Sequence, residues 1–194
     1  KYFYYSLFFL ALGIVAIASA IRYTVGKEAY GYKGYGDLFV FIFFGLVSTY
    51  GSYFMFAKVF DWYLLLPAIA IGFLSVGVLN LNNMRDEASD RKAGKNTIVV
   101  KIGGANAKQY HYFLVITAMV LLFVFGLLKD FAIDQYLYLI LFLPLTSHLI
   151  RVKRNVNPVD LDPELKRLAI STFMVSLLLS LCLIYFLSDI IVNN

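Results

Sequence analysis

Cysteine occurs once in this 194-residue chain, at Cys182, so no disulfide can form within it, and its place inside an apolar run reads as packing. Histidine is almost as scarce. His111 and His148 have no cysteine or further histidine at ligand spacing, which argues against a metal site built on them and leaves hydrogen bonding at the ends of apolar spans. Charge is thin too: Asp, Glu, Lys and Arg make up 15% of the residues, against 61% hydrophobic and a mean hydropathy of +0.76. A soluble domain is about 45–50% apolar, so the composition is that of a polytopic membrane protein. No signal-peptide pattern is visible and an apolar run begins directly after Lys1, so the chain reads as the later part of a longer protein.

Apolar runs over 3–21, 37–57, 62–84, 109–128, 132–150 and 167–191 each approach the ~20 residues that carry a helix across ~30 Å of hydrocarbon. Strands in isolation leave their backbone unsatisfied in lipid, so all six are expected to be helical. The net charge of +5 suggests nucleic acid less than it suggests orientation, because the cations sit in short loops between spans. Arg22, Lys27 and Lys33 fall in the first loop. Arg85, Arg91, Lys92, Lys95, Lys101 and Lys108 fall in the third, and Arg151, Lys153, Arg154, Lys166 and Arg167 in the fifth. Only Lys1, Lys58 and Lys129 lie on the opposite side, and the positive-inside rule therefore puts the odd-numbered loops in the cytoplasm.

The third loop opens on a dense cluster, Asn82-Asn83-Met84-Arg85-Asp86-Glu87-Ala88-Ser89-Asp90-Arg91-Lys92-Ala93-Gly94-Lys95. If the helix of the preceding span continues through it, Asn82, Asp86 and Asp90 recur every four residues, or ~400° of turn, and project from nearly one face. Two carboxylates that close repel each other, so a divalent cation is their natural partner. Mg²⁺ takes hard oxygens of this kind, usually one or two carboxylates, and completes its shell with water and substrate phosphate. Arg85, Arg91 and Lys95 would then meet phosphate oxygens. The competing reading is a charged loop at a membrane surface. Gly94-Lys95-Asn96-Thr97 is not a Walker motif, because position 89 is Ser where that motif needs Gly.

Asn82-Asn83-x-Arg85-Asp86-x-x-x-Asp90-Arg91-x-x-Gly94-Lys95-x-Thr97, followed by an apolar stretch and Gly103, closely resembles the second aspartate-rich motif of the UbiA-type intramembrane prenyltransferases. The likeness extends upstream to Tyr30-Gly31-Tyr32-Lys33-Gly34-Tyr35-Gly36-Asp37, and is strongest to the naphthoate branch of that superfamily. It implies an all-α bundle of nine membrane helices, of which this chain, a single domain over 1–194, would supply the last six. It also implies an enzyme that moves a polyprenyl group from polyprenyl diphosphate to 1,4-dihydroxy-2-naphthoate with loss of CO₂, giving demethylmenaquinol. Asp86 and Asp90 would be catalytic through Mg²⁺, with Asn82 as a further ligand. Asn83, Arg85, Arg91 and Lys95 would bind the diphosphate, and Tyr30, Tyr32, Lys33 and Asp37 would form a cap over the aromatic substrate. The setting implied is the inner, cytoplasmic membrane, with the site facing the cytoplasm and lipid around it. The family's first motif, Asn-Asp-x-x-Asp, does not occur before residue 80. Other aromatic acceptors, such as 4-hydroxybenzoate or homogentisate, fit the same chemistry, and a transporter fragment is the reading from another class.

Three features have plainer readings. Asp130 and Asp134 repeat the DxxxD spacing on the opposite side with only Lys129 nearby, and read as interfacial solvation. Asp162-Pro163-Glu164 reads as a helix start, with an N-cap, a proline in the first turn and an acid near the positive helix end. Phe39, Phe41, Phe43, Phe44, Tyr50, Tyr53, Phe54 and Phe56 crowd the second span, where lipid contact explains most of them and a few would line an isoprenoid tunnel.

Overall fold

Hydrophobic runs with no water to solvate their backbone close their hydrogen bonds internally, and among the described residues every element is a helix. The computed structural model describes residues 2–25 and 29–192; Lys1 and Lys27 of the charge count lie outside them. We label the helices α1 (Tyr2–Thr24), α2 (Gly36–Ala57), α3 (Leu65–Lys92), α4 (Ile98–Ile102), α5 (Gly104–Leu128), α6 (Phe142–Arg154) and α7 (Asp162–Val192). Among the described residues six helical segments are long and apolar enough to cross a membrane, which makes this a multi-pass membrane protein. Their order matches the six apolar runs. The boundaries do not always match: α2 is π-helical over Phe41–Gly51, and the fifth span starts as a 3₁₀ helix over Ile133–Leu141 before α6.

The helix α3 is the centre of the bundle, packed by α2, α5 and α7. Leu74 and Leu81 of α3 are fully buried, as are Val115, Ala118 and Leu122 of α5 and Leu168 and Val175 of α7. Each Leu or Val taken out of water in such a core is worth about 1.5–3 kcal/mol, but among lipid tails the gain comes instead from close fit. The α2–α3 contact shows that fit: a Cβ at Gly45 would lie 2.6 Å from the Gly72 Cα, so only glycine allows the two backbones this near. At the end remote from the acidic cluster, Lys129 Nζ donates to Asp61 Oδ2 at 2.6 Å. That pair joins the 58–61 and 129–131 loops, which the six-span reading places on one side.

Candidate functional site

The helix α3 does continue through the acidic cluster, ending at Lys92, so Asn82, Asp86 and Asp90 stand one turn apart on one face. What stops it is Gly94. With φ at +71° it turns the chain left-handed, and two hydrogen bonds close the end, Gly94 N to Arg91 O at 3.3 Å and Lys95 N to Asp90 O at 2.9 Å. This return turn carries Lys95 back over the last helical turn, where its ammonium donates to Asp90 Oδ1 at 2.8 Å. The Asp90 carboxylate beside it holds the Lys95 ammonium above the usual lysine range. Thr97 then caps α4, its hydroxyl accepting from Val100 N at 3.2 Å. Gly94 and Lys95 thus shape the chain beside Asp90, and Thr97 starts the next helix.

Asp86 is gripped by its neighbour. Arg85 donates from Nε to Asp86 Oδ1 at 2.8 Å and from Nη2 to Asp86 Oδ2 at 2.9 Å, while the same Nη2 reaches Asn82 Oδ1 at 2.9 Å. Its Nη1 crosses to the start of α7 and donates to Asp162 Oδ1 at 2.6 Å. Asp162 therefore directs its carboxylate at Arg85, a use that the helix-start reading did not foresee. Asp90 and Asn83 are buried, at 6% and 7% exposure, and Asp86 is partly open. Arg91 goes elsewhere. It pairs with Glu87 at 2.9 Å and with Val100 O at 3.2 Å, away from the Asp86 and Asp90 face.

The Tyr30–Asp37 segment docks on this tail. Asn96 N donates to Tyr32 O at 2.8 Å, Lys101 Nζ donates to Lys33 O at 3.0 Å, and the Lys95 ammonium lies 5.4 Å from the Tyr32 ring centre. Gly34 permits the approach, since its φ is +87° and a Cβ there would meet Asn96 O at 2.5 Å. Tyr30 turns inward. Its ring stacks on Phe39 at 3.9 Å and its hydroxyl donates to Ser19 O at 2.7 Å, and burial pushes its phenol above the usual range. Asp37 is buried and accepts from the Tyr110 hydroxyl at 3.1 Å. Tyr23, which the sequence did not single out, stands within electrostatic range of Asp37, Asp90 and Lys95.

Two residues read as interfacial turn out otherwise. His111 and His148 are buried at 0% and 1% exposure, with their Nε2 atoms 2.8 Å apart, because antiparallel packing brings α5 and α6 together beside α7. His148 Nδ1 donates to Glu164 Oε2 at 2.8 Å, and Arg151 and Arg167 close on the other oxygen of Glu164. Glu164 is the hub of this cluster, and no local spacing announces it. Asp130 and Asp134 are exposed, as solvated interfacial acids would be.

Among the described residues no three His, Cys, Asp or Glu side chains group to hold a metal by themselves. The oxygens of Asp86, Asp90 and Asn82 nevertheless share one face, and each now accepts from Arg85 or Lys95. That donor set suits a hard divalent cation that takes one or two carboxylates and leaves its other positions to water and phosphate.

The chain is 38% identical over 176 residues to the 1,4-dihydroxy-2-naphthoate octaprenyltransferase of Haemophilus influenzae, covering 91% of this chain and 57% of that protein. It is 41% identical over 170 residues to the protein of the same name in Escherichia coli, covering 88% and 55%. The Mycobacterium tuberculosis protein of that name is 43% identical over 115 residues, 59% of this chain and 39% of its own. The chain thus spans little more than half the length of the first two. No solved structure matches it. Residues 2–177 match the model of the UbiA prenyltransferase family, and with an acidic face, a return turn and a docked loop built around that motif, the chain belongs to the UbiA prenyltransferase family.

Proposed function

We propose that the protein carrying this chain transfers a polyprenyl group from polyprenyl diphosphate to 1,4-dihydroxy-2-naphthoate, with loss of CO₂ and formation of demethylmenaquinol. The observation that carries the reading is the α3 face, where Asp86 and Asp90 stand one turn apart beneath Lys95 and beside Arg85. Asp86 and Asp90, with the Asn82 amide oxygen, would hold Mg²⁺. When bound, the ion supplies Lewis-acid charge to the departing diphosphate. Arg85 and Lys95, each already hydrogen-bonded to one of these carboxylates, are the cations nearest the head group, and exchange a carboxylate oxygen for a phosphate oxygen as it arrives. Their charge favours heterolysis of the allylic C–O bond, with the electron pair leaving on diphosphate. The aromatic ring then forms the new C–C bond and releases its carboxyl as CO₂. Tyr32 and Lys33 belong to the docked loop above Lys95, where a cation opposes the repulsion between the acceptor's carboxylate and the aspartates. Asn83 lines the buried flank of the motif, while Arg91, held by Glu87, shapes the loop and would reach phosphate only by breaking that pair.

The likeness to three proteins named as naphthoate octaprenyltransferases supports the choice of acceptor. The site opens at the end of the bundle that carries the cation-rich loops, which supports a cytoplasmic opening in an inner membrane. The test uses membranes containing the full-length protein, given octaprenyl diphosphate and either 1,4-dihydroxy-2-naphthoate or 4-hydroxybenzoate. Prenylated product and ¹⁴CO₂ from carboxyl-labelled naphthoate are expected. Product from 4-hydroxybenzoate alone would overturn the choice of acceptor.

A further inference from the structure

Arg85 holds three side chains at once: Asp86 through Nε and Nη2, Asn82 through Nη2, and Asp162 through Nη1 at 2.6 Å. Two of the three, Asp86 and Asn82, are oxygen donors of the face proposed to take Mg²⁺. Asp162 is not, and it belongs to a different helix. Its backbone is placed by its neighbours. Leu161 before it is buried at 2% exposure in the Pro158–Leu161 turn, which packs on α3. Glu164 after it is buried at 5% and is held by His148 Nδ1 and Arg151 Nε. The Asp162 carboxylate itself is 68% exposed, and an ion pair so open to water adds little to stability. What it contributes is direction, because a long, rotamer-rich arginine side chain is ordered by what it bonds to.

We propose that Asp162 is a positioning residue for Arg85, keeping the guanidinium at the carboxylate face once Asp86 and Asn82 have turned their oxygens to the metal. The inference rests on the reading of a metal-bound polyprenyl diphosphate as the donor, and adds the residue that readies its arginine. A guanidinium and a divalent cation compete for the same lone pairs, and like charge pushes the two apart. With Asp162 in place, Arg85 keeps a partner on Nη1 while its Nε and Nη2 protons pass from carboxylate to phosphate oxygens. Without Asp162, Arg85 has only the ligand oxygens themselves to hold. It then opposes the metal when it stays, and leaves the diphosphate without a donor when it goes.

The experiment measures binding, without turnover, in the purified full-length protein. Equilibrium binding of octaprenyl diphosphate is followed with Mg²⁺ present, and binding of Mn²⁺ alone by the electron paramagnetic resonance of the free ion. Asp162→Ala is expected to raise the dissociation constant of octaprenyl diphosphate about tenfold, the scale of one lost charge-assisted hydrogen bond, and to weaken Mn²⁺ binding in the same direction. In an Arg85→Ala background the same change is expected to add nothing, since Asp162 acts through Arg85. A loosened start of α7 would instead weaken binding in both backgrounds, and that result overturns the inference. So does an affinity for octaprenyl diphosphate that stays at the wild-type value in Asp162→Ala. If Asp162→Ala does not fold, Asp162→Asn decides, since asparagine keeps the shape and loses the charge, and unchanged binding overturns the inference. Wild-type protein that binds no octaprenyl diphosphate with Mg²⁺ present overturns the reading of function itself, and this inference with it.

Discussion

His111 and His148 face each other nitrogen to nitrogen at 2.8 Å, and that contact ties α5 to α6 in the buried interior. Two N–H groups cannot point at one another across such a distance, so at least one ring is neutral. A carboxylate accepts only, so His148 donates from Nδ1 to Glu164. One hydrogen between the two Nε2 atoms joins the rings, whichever of them donates it. The bonds thus link α5 through α6 to α7 and end on a carboxylate that Arg151 and Arg167 also hold. Glu164→Leu should destabilise the purified protein by about 3–5 kcal/mol, the scale for removing one partner of a buried ionic cluster. Arg167→Ala removes a half-exposed partner and should cost about 1 kcal/mol or less. Thermal unfolding in detergent compares the two, and equal midpoints would show that the buried cluster adds nothing.

That cluster marks the limit of what the sequence discloses. Hydropathy runs locate the six spans because crossing lipid demands length and apolarity, and both are local properties. The i, i+4 spacing likewise foretells the Asn82, Asp86 and Asp90 face. Arg91 follows Asp90 by about 100° around the helix, and its i, i+4 pair with Glu87 is legible in the same spacing. Arg85 on Asp162 is different, since 77 positions separate the two and only the packing of α7 against α3 brings them together. His111, His148 and Glu164 are hidden for the same reason.

Removal of either motif carboxylate tests the site most directly. In the full-length protein Asp86→Ala and Asp90→Ala should each lower prenyl transfer at least about a hundredfold, since several kcal/mol of charge stabilisation on the leaving group is lost. Metal-dependent retention of diphosphate should fall with it, and EDTA should reproduce both effects in the wild type. Asp130→Ala, on the opposite side of the bundle, is the matched control. Wild-type turnover in either motif variant would remove both aspartates from the mechanism.

Docking of the Tyr30–Asp37 segment depends on Gly34. A side chain there must adopt φ near +87° and meet Asn96 O at 2.5 Å, so Gly34→Val should lift the segment off the motif tail. The backbone strain alone is about 1–2 kcal/mol. The expected signature is faster proteolysis within the segment together with a raised KM for the aromatic acid. Gly13→Ala, where a Cβ meets nothing within 4 Å, should alter neither. Unchanged proteolysis and KM in Gly34→Val would mean that docking of this segment has no part in holding the acceptor.

Orientation follows from the loops. Ser89 and Asn157 are exposed at the end of the bundle that carries Arg85, Lys95 and Arg151, while Asp130 is exposed at the other end beside the Asp61–Lys129 pair. The bias of basic residues toward the first group predicts that this end faces the cytoplasm, and the cations counted there include Lys27, outside the described residues. Cys182 is buried and must first be replaced, which Cys182→Ala does at the cost of a small cavity. Single cysteines at Ser89 and Asn157 should then react with an impermeant maleimide only in inside-out vesicles or after permeabilisation. One at Asp130 should react in intact spheroplasts. Because an odd number of crossings separates Asp130 from each of the other two, labelling of Ser89 and Asp130 from the same side would contradict the six-span arrangement. Opposite sides with the polarity reversed would keep the arrangement and move the carboxylate face out of the cytoplasm, away from a soluble supply of the aromatic acid.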